Sequence, residues 1–221
     1  MQGNRAEFFA ARMDTLQQRD RIFLRNPVFI TGLGLAPVVA AATTLNRAFI
    51  LGIAVLLLLT PTRALSALIA RKTVYRARGM VYTLTASVLY IAVYFLLRTL
   101  FGSAALQPLG IYLPLLVIEP LIIKRYERPS KERVHTALIK GLLTTLGFEL
   151  ALFLVAGVRE FLSMGTLFGI DIMSPEHALA PIAGLVCGGF IIVGLLSALW
   201  RTLISLFKKN VYREVNQNAS H

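Results

Sequence analysis

Asn26-Pro27-Val28-Phe29-Ile30-Thr31-Gly32-Leu33-Gly34-Leu35-Ala36-Pro37 is apolar enough for a membrane, yet it is interrupted where a spanning helix should run smoothly. Proline has no N–H, and the ring of Pro37 collides with the carbonyl of Leu33, so a helix entered at Pro27 is disturbed after about two and a half turns. Gly32 and Gly34 loosen the same turns and let another backbone approach closely. A counterpart lies in the second half, Leu109 to Pro120, where Gly110, Pro114 and Pro120 act in the same way. Irregular backbone at membrane depth survives only when it is buried in protein or lines a polar site. Two such segments at matching places in two halves point to a midplane site in an inverted-repeat membrane protein.

Composition agrees with a membrane setting. Of 221 residues, 56% are hydrophobic, and the mean hydropathy is +0.68, too apolar for an ordinary soluble domain. A formal charge of +12 invites a nucleic-acid reading. The cations, however, lie in short blocks between apolar runs, with no basic face carrying interleaved aromatics, which argues against nucleic acid and for a bilayer. One cysteine, Cys187, excludes an internal disulfide and reads as a small buried packing residue.

Taken in order, residues 1–25 read as an amphipathic cytoplasmic segment on the membrane surface, without the hydrophobic region of a cleavable signal. Residues 26–207 form the membrane domain. Asn26 suits an N-cap and Pro27 a first helical residue, so helix 1 runs from there to about Leu45. Helix 2 runs over about 48–69, helix 3 over 80–101 and the short, broken helix 4 over 108–123. Helix 5 follows over 136–162 and helix 6 over 179–207, before a polar tail, 208–221. Nearly all Lys and Arg lie before helix 1, between helices 2 and 3, between helices 4 and 5, and after helix 6. The other connections offer only Arg47, Arg98 and Arg159. This bias puts both termini in the cytoplasm. Three spans per half make helices 1–3 and 4–6 inverted repeats, with broken helices 1 and 4 meeting near the bilayer centre. The fold class is therefore all-α integral membrane, with six transmembrane helices.

These segments resemble a family. Asn26-Pro27 with Gly32-Leu33-Gly34-Leu35-Ala36-Pro37 is similar to the first-helix signature of the six-helix membrane subunits of Rnf and Nqr electron-transport complexes. Leu109-Gly110-Ile111-Tyr112-Leu113-Pro114-Leu115 is similar to their fourth-helix signature, with Arg125 and Glu127 at its polar exit. Val158-Arg159-Glu160-Phe161 with Gly165-Thr166-Leu167-Phe168-Gly169 resembles the end of helix 5, nearer the Rnf E and Nqr D branch. The resemblance spans about residues 24–205. It implies an inner-membrane translocase complex that couples electron flow to sodium or proton movement, with a sister six-helix subunit of opposite orientation and other redox subunits as partners. It also implies an intramembrane [2Fe–2S] cluster liganded by one cysteine from helix 1 and one from helix 4 of each sister. Those positions are Ala36 and Pro120 here, so the chain is expected to bind no cluster, leaving flavins and iron–sulfur clusters to partner subunits. Its part is then that of a non-catalytic or electron-relay subunit.

Glu119 on helix 4 and Glu149 on helix 5 are acidic residues inside apolar runs and form a candidate midplane polar site. Each reads either as a hydrogen-bonded acid locking helix packing, or as a proton or cation relay or a polar contact in place of the cluster. The second reading supports an alternative function, an ion or small-molecule transporter on the same scaffold. A third is an inert membrane anchor for a peripheral redox protein. Arg63 reads as snorkelling to the cytoplasmic surface, or as a counter-charge to either glutamate. Arg159 and Glu160, near the outer end of helix 5, read as a structural ion pair or as part of a pathway. Asp171, Glu176 and His177 lack metal-ligand spacing, and Gly32-x-Gly34 lacks the third glycine of a dinucleotide fingerprint. No nucleophilic triad is recognisable.

Overall fold

A computed structural model describes residues 20–70, 72–119, 122, 134–173 and 179–219. The stretch 1–19, Pro120, Arg125 and Glu127 with the rest of the basic loop, and Glu176 with His177 lie outside the described residues. Four long apolar helices carry the fold: α1 (Leu45–Ala70), α2 (Arg78–Leu106), α3 (Val134–Met164) and α4 (Val186–Ala219). Each is long and apolar enough to cross a membrane. Among the described residues the sheet content is one short hairpin, Thr166–Leu167 against Ile170–Asp171.

The other two expected spans are not long helices. Residues 26–44 form a string of turns followed by one π-turn, Pro37–Ala41. The backbone leaves the helical region at Gly32 and Gly34, with φ of 66° and 70°, values that side-chain-bearing residues rarely adopt. The disturbance thus lies upstream of Pro37. That proline instead opens the π-turn at its first position, where a missing N–H costs nothing. Residues 107–119 form a 3₁₀ turn (Gln107–Leu109), a reversal at Gly110 (φ 42°), one α-turn (Tyr112–Leu115) and another 3₁₀ turn (Leu116–Ile118). They end in extended backbone at Glu119, with ψ 136°.

Two boundaries move from the sequence reading. Helix α2 continues to Leu106 across a kink at Gly102 (φ 78°, ψ 161°). Helix α4 begins at Val186, because Pro181 first opens a 3₁₀ turn (Pro181–Gly184) and Leu185 is extended.

The long helices that touch one another pack antiparallel. Along the α1–α3 seam, Leu45 meets Glu160, Gly52 meets Glu149 and Arg63 meets Gly141. Phe49 of α1 meets Phe101 of α2 edge-on, ring centroids 6.3 Å apart. Helix α4 runs along the first broken segment, Gly189 against Val39 and Trp200 against Phe29. The second broken segment lies against α2. Val38, Leu51, Val55, Leu59, Phe148, Leu152 and Val155 fill the centre. Residues 20–25, the 72–77 link, the start of α3 and the end of α4 consequently share one end, which holds Arg21, Arg25, Lys72, Arg76, Lys140, Lys208 and Lys209. Arg47, Arg98 and Arg159 lie toward the other. Outward faces of α2 and α4 are apolar, with Val88, Ile91, Phe95, Phe190, Ile191 and Leu195 exposed.

Candidate functional site

Helix α3 is the spine on which the first broken segment is fixed. At the basic end, the Asn26 side chain is fully buried. Its Oδ1 accepts from Val28 N–H (2.9 Å) and Phe29 N–H (3.1 Å), and its Nδ2 donates to Ile22 O (3.0 Å) and Gly147 O (2.7 Å). The first pair caps the turn; the second ties it to α3. Gly147 has no side chain because a Cβ there would strike the Arg21 carbonyl and reach 3.0 Å from the Pro27 ring. One residue on, the Phe148 ring lies under Gly34, where an added Cβ would come within 2.6 Å. From α4, Arg201 donates to Ile30 O (3.1 Å), and Trp200 donates to Phe23 O (3.0 Å). The irregular segment thus has its carbonyls met from two helices, as low-dielectric surroundings require.

Asn26→Ala is accordingly expected to cost about 2 kcal/mol, since it removes a cap and leaves the Gly147 carbonyl without that donor in the interior. Thermal unfolding in detergent checks this; a melting temperature equal to wild type would contradict it.

At the opposite end the expected Arg159–Glu160 ion pair is absent. Neighbouring residues on a helix diverge by about 100° and do not face each other. The fully buried Arg159 guanidinium spends each of its five N–H groups on a backbone carbonyl. These are Val39 (2.6 Å), Ala42 (3.1 Å), Ala183 (3.0 Å), Gly184 (3.2 Å) and Leu185 (3.1 Å). The acceptors end the π-turn and the 3₁₀ turn, so two helical C-termini converge on one cation. Gly189 lets α4 come close: a Cβ there would sit 3.1 Å from Arg159 Cζ. Glu160 serves the complementary ends. Its carboxylate accepts from Leu45 N–H at the start of α1 (2.6 Å), from Gly169 N–H (2.9 Å) and from the Thr166 hydroxyl (3.1 Å).

The remaining sequence candidates are scattered. Arg63 does not snorkel to the surface. It is 5% exposed and donates to the Thr144 hydroxyl (3.3 Å), which also accepts from Arg21 (3.2 Å). Gly141, opposite, makes room for its stem. Glu119 is buried at the end of the second broken segment, whereas Glu149 is half-buried in the α1–α3 seam; no hydrogen bond among the described residues joins them. Gly110 and Pro114 are exposed on the second segment, and Gly32 on the first. Cys187 is exposed in the first turn of α4 rather than packed inside, because the Gly188-Gly189 face of that turn takes the interior position. Asp171 is exposed at the end of the hairpin.

The iron–sulfur cluster implied by the resemblance can be tested against these donors. Ala36 presents only a methyl group, the residue at the second ligand position is Pro120, and the one thiol of the sequence, Cys187, sits elsewhere. A cluster needs thiolates or comparable donors. These residues do not fit it.

The convergence of Gly147, Gly189 and Arg201 on the first segment is not legible in the sequence. Their partners are mostly backbone atoms from distant parts of the chain, which carry no sequence signature. Three relatives match most of the length of this chain. The E subunit of the proton-translocating ferredoxin:NAD(+) oxidoreductase complex of Clostridium ljungdahlii is 31% identical over 80% of this chain and 84% of its own. The E subunit of the ion-translocating oxidoreductase complex of Shewanella oneidensis is 34% identical over 80% and 82%. Its namesake from Haemophilus ducreyi is 32% identical over 72% and 70%. With the model of the Rnf-Nqr subunit membrane proteins matching residues 16–197, the chain belongs to the Rnf-Nqr membrane subunit family.

Proposed function

We propose that this chain is an integral subunit of an ion-translocating oxidoreductase complex, in which it pairs with a six-helix sister subunit of opposite orientation. The observation that carries the proposal is the likeness, over four-fifths of both chains, to proteins named as the E subunits of such complexes. In this reading the two broken segments are half-spans, and the six elements form two inverted three-helix repeats. Several features support it. The first segment starts at the basic end of the bundle and the second starts at the opposite end, after Leu106. The first lies against α4 and the second against α2, each in the other half of the sequence. Thr31 and Gly32 on one segment, and Gly110, Ile111 and Pro114 on the other, stay exposed. Irregular backbone cannot face lipid, so a protein partner covers it. The basic end faces the cytoplasm of the inner membrane, with both termini. Ala36 and Pro120 make this subunit a scaffold around the ion path, with the redox groups held by its partners.

A tagged copy purified from membranes in mild detergent is expected to bring other membrane redox subunits with it. Deleting its gene is expected to abolish electron-driven ion uptake by vesicles. Iron and acid-labile sulfide are expected to be absent from the chain separated from its partners. Recovery of the chain alone, or uptake unchanged by the deletion, would refute the proposal; cluster iron bound to this polypeptide would refute the assignment of its ligand positions.

A further inference from the structure

Glu149 falls at the centre of α3, nine residues after Lys140 and ten before Arg159, about 13 and 15 Å of helix. Lys140 lies at the basic end of the span and α3 runs on to Met164, so the carboxyl lies at mid-membrane. It occupies the α1–α3 seam beside Gly52, where an added Cβ would sit 3.5 Å from Glu149 Cγ. Phe148 packs inward on Gly34; Glu149, about 100° further around the helix, turns away from that segment. It continues the outward stripe of Leu138, Leu142 and Leu146, which are 38%, 44% and 41% exposed. Across the seam Phe49 is 47% exposed. The flank is therefore apolar except for one half-buried carboxyl, and among the described residues no side chain or backbone donor bonds to it. Acyl chains offer no hydrogen bond, and acidic residues at this depth face protein or water.

We propose that the α1–α3 flank around Glu149 is a contact with a second membrane subunit, which presents a guanidinium, ammonium or amide donor to this carboxyl at mid-membrane. The inference rests on the complex-subunit reading above, and it concerns a flank other than the exposed turns of the broken segments. The acidic group selects the partner: a lipid-facing helix with no donor leaves the carboxyl unmet, whereas a donor at matching depth meets it and sets the register of the two subunits.

The test uses the tagged full chain in its native membrane, as wild type, Glu149→Gln and Glu149→Leu. Leucine suits a bilayer, so Glu149→Leu is expected to reach the membrane and melt like wild type while recovering at least ten-fold less partner. Glu149→Gln keeps an acceptor oxygen and is expected to retain more than half of the partner. A photo-crosslinking amino acid placed at the exposed Leu142 supplies a second measurement that leaves Glu149 in place, with a protein adduct expected. Wild-type partner recovery in Glu149→Leu, or lipid adducts alone from position 142, would overturn the contact. So would an intact Glu149→Gln complex with ten-fold weaker ion uptake, which assigns the carboxyl to ion binding instead. Wild-type chain recovered alone would overturn the complex itself, a result separate from each of these.

Discussion

Arg159→Leu is expected to abolish accumulation of the folded chain in membranes, the largest single-residue effect the structure supports. The substitution strands four backbone carbonyls at once, those of Val39 and Ala42 at the end of the π-turn and of Ala183 and Gly184 in the 3₁₀ turn before α4, while the Leu185 carbonyl keeps the Gly189 N–H (3.0 Å). An unmet buried acceptor costs on the order of 1–3 kcal/mol, and neither water nor a neighbouring strand can relieve these inside a bilayer. Even with partial relaxation the loss is about 4 kcal/mol or more, within the range where single substitutions unfold proteins. Arg159→Lys is expected to be intermediate, since an ammonium has three donors on a flexible stem rather than five in a planar fork. Membrane-inserted yield and thermal unfolding of the purified chain provide the measurement. Comparable yields of wild type and Arg159→Leu would show that the guanidinium does not hold the outer ends together.

The same pair shows where sequence reading stops. Long apolar runs with few charges can be one thing in a chain of this composition, so α1, α2 and α3 are legible to within about five residues, and the family is legible from four short ordered segments. Arg159 and Glu160, by contrast, are adjacent and opposite in sign, and apart from the Thr166 hydroxyl their real partners are main-chain groups at positions 39, 42, 45, 169 and 183–185. Main-chain groups carry no sequence signature, so a pair of charges beside each other reads as an ion pair. Arg63 went the same way: a cation near the basic end reads as snorkelling until Gly141 and Thr144 are seen beside it. Cys187 and the late start of α4 have one cause. Pro181 interrupts the helix, and the Gly188-Gly189 face then packs against the turn ends, leaving the thiol outside. For Pro37 a helix-breaking residue was identified, but a proline is equally at home at a helical first position, and only Gly32 and Gly34 decide which applies.

Gly34→Ala is expected to destabilise the chain by about 3 kcal/mol, and the cost divides into two measurable parts. The first is conformational. Gly34 holds φ at 70°, and a residue with a Cβ pays about 1–2 kcal/mol to stay there. The second is steric, because the new methyl carbon would lie 2.6 Å from the edge of the Phe148 ring, whose own residue is fully buried. Overpacking of this kind costs about 1–3 kcal/mol. Only the second part depends on the ring. Phe148→Leu thins the side chain under Gly34, so the double variant Gly34→Ala/Phe148→Leu is expected to be less damaged than the two single losses predict, by about 1–2 kcal/mol of coupling. The remaining deficit reports the backbone alone. Simple additivity would mean that the ring does not press on this turn, and that the segment carrying Ala36 is held by Asn26 and Arg159 without the help of the α3 core. A wild-type melting temperature for Gly34→Ala would go further. It would mean that the turn is free to rearrange, and that the rigid half-span on which the proposed ion path depends does not exist in the membrane.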